Sequence, residues 1–227
     1  MKVTTPHAAN NRLKTLRALL EFAVEREWIE HNEASKVKKL KAWSEGFHTW
    51  SEEEVAQFEA RWLVGTKQRL ALDLLQYTGQ RSADVRLMAR GQMNDGTILV
   101  RQSKTRALLS IPVHPALERS IQAADGSGLM FLQTHYGEPY SEKGFSKWFS
   151  DLAKQAGLSG CTAHGLRKVA AVRMADAGCT AHEIMAVTGH KSMAEVQRYT
   201  AAASQKTNAL AAMEKVRLAQ GRRRMAE

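Results

Sequence analysis

The sequence predicts a mainly α-helical protein carrying a small antiparallel β-hairpin or sheet, an α+β arrangement around one substantial core. Three observations predict it. Apolar residues recur at helix spacing over most of the 227 residues. Alternation with period two is confined to 96–113. Capping boxes and single glycines mark where helices start and stop, as at Ser51/Glu54, Gly79, Gly157, Gly178 and Thr180/Glu183.

The elements follow in order. A first helix is expected over 8–29, with Leu13, Leu16, Leu20 and Ala23 on one side and Arg12, Lys14 and Arg17 interleaved. The charged stretch 33–41 lacks periodicity and reads as a linker or hinge. A lone helix cannot bury its own apolar stripe, so this one must pack on something else. The main domain starts near Trp50, where Ser51/Glu54 forms a capping box and Trp50/Val55 a hydrophobic staple for a helix over 51–62. A helix over 67–78 ends at Gly79, and Ser82 is expected to cap a short helix running through Val85 to Met88. That places Arg81 at a helix start, where backbone N–H groups favour an anion. Ile98 and Val100, then Leu109, Ile111 and Val113, flank a hairpin tip containing Lys104 and Arg106, with Pro112 marking an edge or a strand end. Helices resume over 114–124, then from Ser141 through Phe145, Trp148, Phe149 and Leu152 to Gly157. Further helices are expected over 163–177, 181–187, 193–200 and 204–219, before a basic tail at Arg222, Arg223 and Arg224. The resulting domains are 1–44, 45–203 and 204–227.

Composition narrows the function classes. The formal net charge of +10 suits a polyanionic partner such as nucleic acid, although basic proteins without one are common. No apolar run approaches a membrane span, and the N-terminus lacks the apolar region of a secretory signal. Cys161 and Cys179 have no CxxC partner, so free thiols in a reducing cytoplasm are expected, with no disulfide, metal site or cofactor.

Arg81, Lys104, His164, Arg167, His190 and Tyr199 are the residue types that metal-free attack on a phosphodiester needs. Guanidinium forks neutralise and orient a phosphate. Lysine and histidine move protons, and a phenol can act as nucleophile. His164 and Arg167, three apart, project from one helix face. Each residue also has a plain structural reading. Arg81 can be an exposed helix-start arginine, Lys104 and Arg106 solvated charges at a hairpin tip, His190 a carbonyl-bonded turn residue, and Tyr199 a core-rim side chain. Competing motifs fail: no glycine-rich run precedes Lys104-Thr105, and Ala186 breaks a zinc-type HExxH starting at His182. A helix-turn-helix over 181–200 would not explain Arg81 or Lys104.

Taken together these segments resemble the catalytic domain of the tyrosine recombinases, the phage-integrase type of site-specific DNA recombinase. Thr78-Gly79-Gln80-Arg81 with Asp84 resembles the first family box, and Gln102-Ser103-Lys104-Thr105 the hairpin lysine. His164-Gly165-Leu166-Arg167 resembles the His-x-x-Arg box, and Gly189-His190 followed by Arg198-Tyr199 the last one. The likeness covers roughly 45–205, while 8–40 resembles the end of the family's DNA-gripping N-terminal domain, here a remnant. The resemblance implies the tyrosine-recombinase catalytic fold. It implies that Tyr199 attacks a DNA phosphate to leave a 3′-phosphotyrosyl link and a free 5′-hydroxyl, without metal or ATP. Arg81 and Arg167 would hold the non-bridging oxygens, and Lys104 would protonate the leaving 5′-oxygen. His164 would help deprotonate the tyrosine, His190 would bond the phosphate, and Asp84 would orient Arg81 or its neighbours. Arg106, Lys143, Lys147 and Lys191 are candidates for DNA-backbone contacts from charge alone. The implied partners are double-stranded DNA and a homotetramer on it, in a cytoplasm of bacterial or phage origin. The alternative is a non-catalytic DNA-binding remnant of a mobile-element integrase.

Overall fold

The computed structural model describes residues 5–41, 46–124 and 126–197, together with 209, 210, 213, 214 and 217. It divides into two compact units, 1–46 and 47–227. In the first, α1 (Pro6–Glu25) starts on Thr5, whose hydroxyl accepts from Ala8 N–H. It stops short of the expected 29 because Glu27 adopts a left-handed backbone (φ 59°), and Trp28 N–H closes the turn on Ala23 O. The charged stretch after it is not a loose linker. Arg17 donates to the carbonyls of Ala34, Ser35 and Val37, and Asn10 bonds Leu40 in both directions. These bonds tie a 3₁₀ turn at Glu33–Lys36 and the irregular segment after it to α1.

The second unit holds the sheet and the helices expected over 51–62, 67–78, 114–124, 141–157, 163–177 and 181–187, whereas most of the expected 204–219 helix and the basic tail 222–224 lie outside the described residues. α2 (Glu52–Arg61) begins with both bonds of the Ser51/Glu54 capping box, and Trp50 and Val55 are buried on either side of it. α3 (Lys67–Thr78) is the central helix, buried along most of its length. Its Asp73 is fully buried and accepts from Arg69, Gln76 and Ser120, the last on α5 (Pro115–Ala123). α4 (Ser82–Val85) is a single turn whose N-cap is Arg81, not Ser82, and no side chain caps it.

A three-stranded antiparallel sheet follows in the order β1 (Met93–Asn94), β2 (Thr97–Arg101), β3 (Leu108–Pro112). Leu99 pairs with Ser110, so Ile98, Val100 and Ile111 face the core while Leu99 and Leu108 face out. β1 is too short for alternation to reveal it in the sequence. α6 (Glu142–Gln155), α7 (Ala163–Asp176) and α8 (Ala181–Thr188) complete the unit. Residues 193–197 begin a further helix, with Ser192 Oγ accepting from Glu195 N–H and Val196 buried against Ala171, Ala175 and Ile184.

Aromatic stacking of Trp50, Phe58, Phe145 and Phe149 joins α2 to α6 in a core that extends to Leu166 and Val169 of α7 and to the sheet. α3 and α7 pack side by side through it. That packing puts the C-terminal end of α3 next to the first turns of α7. Among the described residues no helix is long and apolar enough to cross a membrane.

Candidate active site

Two helices end at the same place because two glycines permit it. Gly79 (φ 62°) ends α3 and Gly189 (φ 69°) ends α8, both left-handed. A Cβ on Gly79 would lie 3.1 Å from Thr188 Cγ2, and one on Gly189 would run into the Gln102 amide, so no side chain fits at either position without displacement. The carbonyls at these two helix ends converge on Arg167. It is 3% exposed on α7, and its Nη1 donates to Gly79 O at 2.7 Å and Thr188 O at 2.8 Å. The guanidinium therefore sits at the negative poles of α3 and α8, which favours its charge in a buried setting.

Gln102 connects the remaining parts. Its side chain is fully buried, and Nε2 donates to Gln80 Oε1 at 2.7 Å and to Thr188 O at 2.9 Å. Its Oε1 accepts from Thr105 Oγ1 at 2.5 Å and from Arg81 Nη1 at 3.3 Å. The Thr188 carbonyl thus takes one bond from Arg167 and one from Gln102, which in turn holds Arg81. Arg167 reaches that oxygen directly and Arg81 only through the Gln102 amide. Gln80 adds a further tie, donating to Val187 O at 2.8 Å. The sequence shows Gln102 only as a member of an alternating strand. Its role depends on partners 21 and 86 residues away.

Lys104 sits at the exposed tip of the β2–β3 hairpin and makes no hydrogen bond or ion pair with any described residue. The tip is nevertheless built: Arg106 takes φ 59° and donates its N–H to Gln102 O. Asp84 holds the tip from behind. Its Oδ1 accepts from Ser103 N–H at 2.8 Å and Ser103 Oγ at 2.7 Å. The Asp84 carboxylate therefore orients the residue beside Lys104, while its backbone N–H donates to Arg81 O at 2.9 Å.

His190 is 8% exposed, with Nδ1 2.6 Å from Thr188 Oγ1. Burial and then the charges of Arg167, Arg81 and His164 push it down to about 4. His164, on the first turn of α7, is also lowered, first by burial and then by Arg167, Lys168, Arg81 and Lys104. Both imidazoles are thus neutral near pH 7 while no anion is present, and each feels the same two guanidinium groups. A neutral imidazole can accept a proton, and paired guanidinium groups among buried dipoles attract an anion.

The structure brings together Arg81, Lys104, His164, Arg167 and His190 from four separate segments, His164 and Arg167 sharing α7. Tyr199 lies outside the described residues. Of the expected backbone-contact residues, Lys191 is exposed beside His190 and Arg106 is exposed at the hairpin tip. Lys143 and Lys147 lie on the exposed side of α6, Lys147 paired with Asp151 at 2.9 Å, and neither touches the five.

Residues 52–206 match the model of the phage integrase family. The chain belongs to that family. Among relatives of this phage integrase family member, the integrase of Escherichia phage HK022 is 32% identical over 144 residues, covering 58% of this chain. That match spans 40% of the HK022 protein, so the chain represents less than half of its relative. A lambda integrase dimer bound to a COC′ core site superposes with a TM-score of 0.76 at 23% identity, covering 86% of this chain and 73% of that one. A lambda integrase tetramer bound to a Holliday junction gives 0.70 at 26% identity, covering 82% and 59%. These structures share the mainly helical fold with its small antiparallel sheet, as the sequence motifs lead one to expect of a tyrosine-recombinase catalytic domain.

Proposed function

We propose that this phage integrase family member cuts and rejoins DNA strands at specific sites through a 3′-phosphotyrosyl intermediate. The observation that carries the proposal is the shared Thr188 carbonyl, which links Arg167 directly, and Arg81 through Gln102, beside His190. In this reading a backbone phosphate enters between the two guanidinium groups. Tyr199 Oη attacks phosphorus, its proton passing to His164, and an O–P bond forms. The P–O5′ bond breaks, and Lys104 delivers a proton to the departing oxygen. Arg81, Arg167 and His190 stabilise the charge that builds on the non-bridging oxygens. Attack by a different 5′-hydroxyl reverses the steps and reseals the strand. The bond energy is retained as a phosphodiester throughout, so the scheme calls on no ATP and no metal.

The likeness to lambda integrase dimers and tetramers on DNA supports double-stranded DNA as the substrate and a tetramer as the working assembly. Under the same reading 1–44 is the end of a DNA-gripping domain, 45–203 the catalytic domain, and 204–227 a segment that docks on a neighbouring subunit or folds back. Leu210 and Met213, both exposed, would form the apolar face of that last segment. Arg106, Lys143, Lys147 and Lys191 would contact the DNA backbone, in the cytoplasm of a bacterial host.

The test is a nicked suicide substrate bearing the cognate attachment site, from which the short cleaved fragment diffuses away. A covalent protein–DNA adduct that disappears in Tyr199→Phe is the expected result. Salt-sensitive binding of that substrate with no adduct would favour a DNA-binding remnant instead.

A further inference from the structure

The segment leading into α2 lies along the first turns of α7, and no motif in the sequence points to it. The Phe47 ring sits 4.6 Å from the His164 imidazole, centroid to centroid, tilted by 55°. Its carbonyl accepts a bond from Lys168 Nζ. One residue on, His48 Nε2 is 2.7 Å from Glu54 Oε2, a carboxylate that also accepts from Ser51 N–H. Trp50 is buried and donates Nε1–H to Thr162 O at 2.9 Å, immediately before α7. Gly165 completes the fit. A Cβ there would collide with the His48 carbonyl and the Trp50 indole, so the absence of a side chain lets the strap lie flat on the helix.

His48, Glu54 and Cys161 also gather their ligand atoms within 4.8 Å of one another. Burial, then Glu54, pushes the Cys161 thiol up to about 12, so it stays protonated. The Glu54 carboxylate is already engaged by two donors. The His48–Glu54 pair, with Ser51 N–H on the same carboxylate, anchors the strap to the start of α2.

We propose that Phe47 is a positioning residue for His164, held by this strap so that its ring fixes the imidazole in one orientation and keeps water off one face. The role rests on reading His164 as the proton acceptor. The groups facing that imidazole are Arg167 and Lys168 on its own helix, Arg81 at the start of α4, Lys104 on the hairpin and His190 after α8. All but His190 are lysine or arginine side chains. Phe47 supplies the apolar wall that completes the environment and lets a neutral imidazole persist beside them. Phe47 is 56% exposed, so replacing it leaves the core intact.

The experiment follows the His164 ring by NMR in the full chain, its resonances identified by their loss in His164→Gln. Phe47→Ala removes the ring-current displacement, and the His164 pKa moves up toward the ordinary imidazole value. Phe47→Tyr keeps both as in the parent. Phe47→Leu keeps the apolar cover and the lowered pKa but not the ring current. Single-turnover cleavage of the suicide substrate falls about tenfold in Phe47→Ala, and its acidic limb moves to higher pH with His164. Phe47→Tyr restores the rate. Unchanged His164 resonances and pKa in folded Phe47→Ala overturn the proposal. If the resonances and pKa shift while cleavage does not, the hold of Phe47 on the ring stands and the proton-acceptor role of His164 falls.

Discussion

Replacing Gln102 by alanine removes the amide that ties the two arginines together, and its cost follows from which partners are left stranded. Thr105 and Arg81 are partly exposed, and their freed N–H and O–H groups can turn to water at little cost. The Thr188 carbonyl keeps its bond from Arg167. Gln80 Oε1 is different. It lies on a fully buried residue, and Gln102 Nε2 is its donor. A stranded buried acceptor costs about 1–3 kcal/mol. Losing the buried methylene adds about 1 kcal/mol. The sum is about 2–4 kcal/mol, read as a shift in the denaturation midpoint at unchanged slope. Gln102→Met retains most of the volume and separates the two contributions, recovering the packing but not the bond. A loss below about 1 kcal/mol in Gln102→Ala would refute the idea that this amide organises the site. In the same variant the cleavage rate falls by more than stability alone accounts for, because Arg81 is no longer held.

Other outcomes follow from the same geometry. Gly165→Ala forces the 47–50 strap off α7 and destabilises the fold by about 1–3 kcal/mol, measured by denaturation; an unperturbed variant would mean that the close approach is not required. His190 is neutral in the fold down to about 4 and titrates near 6.5 when unfolded. Its contribution to stability is therefore complete above about 6.5, declines as pH falls toward about 4 and is flat below that. Denaturation midpoints across this range should lose that part of their slope in His190→Gln. Phosphate entering between the arginines should raise the His190 pKa, which NMR titration with and without DNA would detect. Lys104→Ala slows cleavage by roughly 10²–10⁴. A substrate with sulfur at the bridging 5′ position should recover most of the rate, because a thiolate leaves without a proton; failure to recover it would remove Lys104 as the acid.

Much of this was legible in the chain because it is written in local rules. Helix α3 runs over the residues expected of it, since Gly79 stops it and the apolar spacing fixes its face. The Ser51/Glu54 and Thr180/Glu183 boxes open their helices with both bonds in place. What was missed depends on distant partners. The end of α1 is an exception, a local turn in which Glu27 goes left-handed without a glycine to signal it and Phe22 closes on Trp28. Ser82 looks like a cap, but the chain enters α4 one residue earlier, at Arg81. The six motif residues could be picked out because each sits in a recognisable short context. Gln102 and Phe47 could not, because an alternating strand residue and an exposed aromatic carry no signal until the fold sets them against Thr188 and His164. The first motif marks Asp84 as an orienting residue, and only the fold sets its carboxylate against Ser103.

The account rests on a single phosphate being held by Arg81, Arg167 and His190 while Tyr199 and Lys104 act on opposite sides of it. The most direct measurement is a structure of the protein on its cognate half-site with vanadate in place of the scissile phosphate. The account predicts vanadate oxygens bonded to both guanidinium groups and to the His190 ring, Tyr199 Oη at one apex and Lys104 near the other. Vanadate held elsewhere, or a Tyr199 hydroxyl from either the same or a neighbouring subunit that stays away from the metal-oxide centre, would contradict it.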